Sequence, residues 1–232
     1  MELGLFTCGY QYESIEAAFA DAAAFGYDFI ELWGGRPHAW APDMTAEQAA
    51  HLRELSERYN VPIRIYTPEH NGYPYNYMLG DEAQWEDCMR YLTRSMEAAA
   101  QIGASHTLIS VGHGGHTEPQ YRHERLMRSL RRLAEEARST GQTILLEPLS
   151  PFESNTCTTA AEIAAVLSEL NDPTVCTMCD MVASYVQDET AAEFYQCTGS
   201  AMVHLHIADS DGRSEAHILP GDGTLPLRRE LE

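Results

Sequence analysis

The sequence predicts an α/β fold: a (β/α)8 TIM barrel in one domain over residues 1–232, with the last βα unit absent from those residues. Three observations lead there. Seven short apolar runs alternate with helical stretches from end to end, and such alternation builds a parallel sheet covered by helices. The βα unit recurs at roughly 25 to 40 residues, the spacing of such barrels. The first strand is followed by Thr7-Cys8-Gly9-Tyr10 rather than by a GxGxxG turn, which argues against the alternative, a doubly wound sheet.

The strands are predicted at Leu3 to Cys8, Asp28 to Trp33, Val61 to Tyr66, His106 to Val111, Thr143 to Glu147, Val175 to Asp180 and Met202 to Ala208. Each is a mostly apolar run, as strands buried on both faces must be. Helices are predicted at Ser14 to Phe25, Thr45 to Tyr59, Asp81 to Ile102, Glu118 to Thr140, Thr159 to Leu170 and Glu189 to Cys197. Thr45 with Gln48, and Thr159 with Glu162, have the spacing of a capping box at a helix start. Gly26, Gly103 and Gly141 follow helix ends, where a left-handed residue closes the last turn. A seventh helix begins at Pro226-Leu227-Arg228.

Composition narrows the function. All 15 basic residues are arginine, so chemistry that needs a lysine amine at the reacting centre is excluded: Schiff-base aldolases, pyridoxal phosphate enzymes and P-loop NTPases. The formal net charge of -20 repels nucleic acid and anionic membranes, and favours a neutral or cationic small molecule. Solubility alone would also account for that acidity. No apolar run approaches the roughly 18 residues of a spanning helix, and no charged-then-apolar leader opens the chain, so a cytoplasmic protein is expected. The six cysteines then read as reduced thiols. Cys176 and Cys179 form a CxxC inside a strand, where a spacing of three puts the sulfurs on opposite faces and spoils a zinc or redox site.

In a barrel, chemistry collects at the C-terminal ends of the strands. Those ends carry Trp33, Tyr66, His113 just beyond the fourth strand, Glu147, Asp180 and His206. Polar groups ending apolar strands are costly unless paired or bound. Glu147, Asp180 and His206 come from three successive strands and can face one centre. Two carboxylates and an imidazole suit a divalent ion, Mn2+ first, with Zn2+, Co2+, Ni2+ and Mg2+ as alternatives. His204 shares a face with His206 but lies deeper, in the position of a supporting hydrogen-bond group.

These residues carry a resemblance. Glu147-Pro148-Leu149 with Glu153, then Asp180, His204-Leu205-His206 and Pro220-Gly221-Asp222-Gly223 resemble the xylose-isomerase-like sugar epimerase superfamily. Ile30 to His38 (IELWGGRPH), Tyr66 to Glu69, Asn71 to Asn76 (NGYPYN) and His206 to Gly212 (HIADSDG) are similar to the bacterial fructoselysine (psicoselysine) 3-epimerase family. The resemblance implies an isomerase, a divalent-metal-dependent 3-epimerase of a ketose or ketosamine acting through an enediolate. It implies Glu147, Asp180 and His206 as metal ligands, with Glu147 also taking or returning the C3 proton. It further implies Glu153 as a carboxylate holding a substrate hydroxyl. Related enzymes have a histidine three residues after the aspartate ligand, where this chain has Ala183; the family's arginine in the late loop falls at His217. Trp33, His38, Tyr66, Glu69 and His113 are expected as pocket walls. Asp209, Asp211, Glu215 and Asp222 are expected to attract a cationic tail on the sugar.

The family's second acid-base glutamate ends an eighth strand. The spacings from Glu147 to Asp180 and on to His206 put such a residue beyond position 232, so the natural protein is expected to be longer. Without that strand the first and seventh keep unpaired edges, and such a chain is expected to be unstable or to associate so as to cover them. The competing readings are another sugar isomerase or epimerase of the superfamily, an inosose dehydratase, and a sugar-binding remnant without catalysis.

Overall fold

The computed structural model describes residues 1–231. Seven strands run β1 Gly4–Phe6, β2 Phe29–Gly34, β3 Ile63–Pro68, β4 His106–Ser110, β5 Thr143–Glu147, β6 Val175–Asp180 and β7 Met202–His206. They pair in chain order, every neighbour parallel. The helices are α1 Ile15–Phe25, α2 Ala46–Tyr59, α3 Glu82–Ile102, α4 Pro119–Thr140, α5 Ala160–Leu170, α6 Met181–Tyr185, α7 Ala191–Thr198 and α8 Leu227–Leu231.

Local chemistry sets the helix ends. The predicted capping boxes form at Thr45 and Thr159, and two more form at Asp81 and Thr190. Each cap is worth about 1 kcal/mol. Gly26, Gly103 and Gly141 take left-handed conformations at the C-caps, as the sequence suggests. The short α6 is absent from the sequence reading. It exists because Asp180 Oδ1 accepts from the N–H groups of Val182 and Ala183, turning the chain into a helix directly after β6.

Period-two alternation divides the apolar residues into two layers. Ile30, Leu32, Ile109, Ile144, Leu146 and Cys179 pack outward against the helices. Phe29, Ile65, Leu108, Leu145 and Met178 form a separate inner cluster, with Cys176 against it. Cys176 and Cys179 therefore do lie on opposite faces. The sheet curls far enough for β2 to reach β7, because Glu31 bonds both His204 and His206. Among the described residues β7 and β1 do not pair with each other. A cleft of about 1040 Å³ lies along these two strands. No described helix is long and apolar enough to cross a membrane.

Candidate metal centre at the strand ends

The inner cluster explains where the polar residues go. Two residues beyond each inner apolar side chain, on the same face, the chain places a polar one: Glu31 after Phe29, Thr67 after Ile65, Ser110 after Leu108, Glu147 after Leu145 and Asp180 after Met178; on β7 both positions are polar, His204 and then His206. An apolar floor thus carries a polar ring at the mouth. Most of this ring is shielded, so its members must satisfy one another.

Glu147, Asp180 and His206 are brought together as the sequence predicts. Their ligand atoms all lie within 4.8 Å of one another. His206 Nδ1 stands 3.4 Å from Glu147 Oε1 and 3.9 Å from Asp180 Oδ2. Two atoms bound to one ion at about 2.0–2.3 Å are separated by about 2.8–3.8 Å in octahedral or tetrahedral geometry. The first separation falls in that interval and the second just beyond it; both exceed a good hydrogen bond. Two oxygens and one nitrogen at this spacing fit a divalent cation.

Asp180 is well supported. Its Oδ1 caps α6, and its Oδ2 accepts from His217 Nε2 at 2.9 Å. Burial would raise its pKa, but the His217 hydrogen bond and the charges of His217 and His206 more than offset this, and the carboxyl is lowered. That hydrogen bond also raises His217. Burial disfavours a charged His206, yet Glu31 and Glu147 reverse the sign and hold it well above the ordinary imidazole range. Glu153 is raised by burial, with Glu215 and Glu147 adding repulsion against a partial offset from Ser150. It accepts from the Ser150 hydroxyl at 3.0 Å.

The other predicted residues are dispersed. Trp33 and Glu69 meet each other, Nε1 to Oε2 at 2.8 Å. His38 Nε2 lies 3.0 Å from the Tyr10 carbonyl. His113 Nδ1 accepts from Gly115 N–H within its own loop. Tyr66 is fully buried on the helix side, its hydroxyl donating to the Ala39 carbonyl. Its strand parity, opposite to Ile65 and Thr67, turns it away from the mouth, so the expected wall role is not met.

The acidic loop after β7 also differs from expectation. Asp209 is buried and accepts four backbone N–H groups, from Ser210, Gly221, Gly223 and Leu225. Asp211 accepts from Arg213 and Ser214. These two carboxylates fold the loop and are committed to backbone, which leaves Glu215 and Asp222 as the acids free to face a cation. Glu230 accepts from the N–H of Ala191 at the start of α7.

Two residues were not singled out by the sequence. Glu31, 2% exposed, accepts from Thr67 and faces both β7 histidines. The two-residue offset from Phe29 was its signal. His70 is half-buried after β3, its ring nitrogen Nδ1 shielded from solvent, and its Nε2 accepts the Ser110 N–H at 3.1 Å.

The model of the xylose isomerase-like TIM barrel family matches residues 19–230. Fructoselysine 3-epimerases of Escherichia coli O157:H7 and Shigella flexneri are each 44% identical over 229 residues, spanning 98% of this chain and 83% of theirs. Among solved structures, a 3-keto-D-glucoside 4-epimerase from E. coli superposes with a TM-score of 0.82 at 18% identity, covering 100% of this chain and 86% of its own. A D-psicose 3-epimerase from Clostridium cellulolyticum H10, solved with D-tagatose, gives 0.82 at 18% identity, covering 97% and 78%. The structural likenesses speak for the barrel; with the sequence relatives and the matched model, they establish that the chain belongs to the xylose isomerase-like TIM-barrel family.

Proposed function

We propose that the chain is a divalent-metal-dependent 3-epimerase of a ketosamine of the fructoselysine type. The observation that carries the reading is the convergence of Glu147, Asp180 and His206 at the barrel mouth. The 44% identity to fructoselysine 3-epimerases supports the substrate class. These three side chains would hold the cation, Mn2+ being the proposed ion. When bound, it supplies Lewis acidity to the substrate's C2 carbonyl and C3 hydroxyl, which acidifies the C3–H.

The chain's own residues do the rest. Glu147 would take the C3 proton from one face, and inversion is completed when a proton is delivered to the opposite face. His217 and the α6 N–H groups fix Asp180, so the anionic site is set before substrate arrives. Glu153, with a raised pKa, is suited to hold a sugar hydroxyl. Glu215 lies beside Ser150 and Glu153 and would meet an ammonium group on the substrate. The partner of the reaction is a small sugar-amine. All six cysteines are unpaired, which supports action in a reducing compartment such as the bacterial cytoplasm.

The test is to remove metal with a chelator, restore Mn2+, and follow fructoselysine and fructose at C3 by NMR. Activity restored by metal in wild type, and lost in Asp180→Asn, is expected. Metal-independent turnover, or Mn2+ binding unchanged in Asp180→Asn, would refute the reading.

A further inference from the structure

We propose that Glu31 is a positioning residue that orients His206 and fixes which of its ring nitrogens faces the metal centre. The inference rests on the metal-dependent reading above. An ionised carboxylate only accepts hydrogen bonds, so any ring nitrogen bonded to it must carry a proton. Glu31 Oε1 takes the Thr67 hydroxyl at 2.7 Å and His206 Nε2 at 3.0 Å. Its Oε2 takes His204 Nε2 at 2.9 Å. These are hydrogen-bond lengths, and a third donor, the Thr67 hydroxyl, shares the same carboxylate. On that ground Glu31, His204 and His206 read as a proton-filled chain rather than a second cation site, although their ligand atoms also cluster.

The consequence falls on the opposite edge of the ring. With Nε2–H held by Glu31, the lone pair of Nδ1 is the one left for a cation, and Nδ1 is the atom that faces Glu147 and Asp180. Phe6 of β1 stacks on the same imidazole, with ring centroids 5.4 Å apart and planes 16° from parallel, which fixes the ring's tilt. One carboxylate from β2 and one aromatic face from β1 thereby set a ligand carried by β7. The charge of Glu31 also strengthens Nδ1 as a donor to the cation, as supporting carboxylates do for metal-bound histidines.

The experiment compares wild type, Glu31→Gln and Glu31→Ala. Mn2+ and Zn2+ affinities are measured by competition with a chromophoric chelator. Nitrogen-15 correlation spectra of the zinc-loaded, histidine-labelled protein report which His206 nitrogen carries the proton. One metal per chain is expected, with the His206 proton on Nε2. Affinity should fall about 10-fold in Glu31→Gln, which keeps one acceptor oxygen, and about 100-fold in Glu31→Ala. Circular dichroism of the metal-free proteins separates this from a folding defect, and the wild-type spectrum tests the tautomer even if Glu31→Ala does not fold. Affinity of Glu31→Ala within twofold of wild type would overturn the proposal. So would a His206 proton on Nδ1, or two metals per chain with one lost in Glu31→Ala. Wild type that binds no metal would refute the functional reading itself, a result distinct from wild type that binds while the Glu31 variants are unaffected.

Discussion

His70 gives the most quantitative prediction. Its ring is buried and lowered by that burial from 6.5 to about 4. Nε2 accepts the Ser110 N–H, so the native ring is neutral. Ser110 stands next to Glu147 across the β4–β5 ladder. The native state therefore resists a proton that the unfolded state takes up readily. A histidine with a depressed folded pKa leaves stability untouched above about 6.5 and erodes it as pH falls toward about 4. At pH 5 the two values give a loss of about 2 kcal/mol, rising to a limit of about 3 kcal/mol at lower pH. Urea unfolding of the metal-free protein from pH 7.5 to 4.5, run beside His70→Gln, isolates this one group. Glutamine keeps an acceptor near the Nε2 position but cannot titrate there. The wild-type curve should drop relative to the variant by about 2 kcal/mol between pH 7 and pH 5. Parallel curves would refute the argument and show that His70 is protonated or solvated in the native protein.

The remaining predictions concern the site and its loop. In D2O, the Mn2+-loaded protein should place deuterium at the substrate's C3, and Glu147→Gln should slow that exchange at least about 100-fold. Exchange at the wild-type rate in Glu147→Gln would remove Glu147 from proton transfer. Glu215→Gln should lower kcat/KM for fructoselysine about threefold while leaving fructose unchanged, with the difference shrinking at high salt; equal effects on both sugars would remove Glu215 from amine recognition. Asp209→Ala removes the acceptor of four loop N–H groups and should speed tryptic cleavage after Arg213. Cleavage at the wild-type rate would show that the loop is held by other contacts.

Much of this was legible in the sequence because the signals were local. Strands β5 and β6 begin and end where their apolar runs do. Glu147 and Asp180 close those runs, so reading strand ends found them. Glu31 escaped the same reading because β2 continues three residues past it, to Gly34. A register shift between Ile30 and Glu31 in the β2–β3 ladder goes with that extension. Strand parity was the better guide: it selects Glu31 and rejects Tyr66. The acidic loop misled for another reason. A carboxylate's charge is visible in sequence, but whether it is consumed by backbone depends on a fold-back that brings Ile218 against Asp209. The short α6 was missed because the helix depends on the side chain of Asp180 rather than on the propensity of Met181-Val182-Ala183-Ser184-Tyr185.

The reach of β2 across the barrel to β7 has a consequence for how the protein assembles. Neighbouring strands join residues close in the chain, as Gly4 with Phe29 or His106 with Thr143. Glu31 and His206 are 175 residues apart. Bringing two points together costs entropy that grows with the length of free chain between them, and the cost falls once intervening strands have shortened that path. Strand-by-strand zippering should thus precede the cross-barrel contact. The constellation of Glu147, Asp180 and His206 then matures in the last step, after most secondary structure is in place. In a refolding experiment, capture of Mn2+ should lag the far-ultraviolet signal, and a chain stalled before closure would be well ordered yet chemically silent.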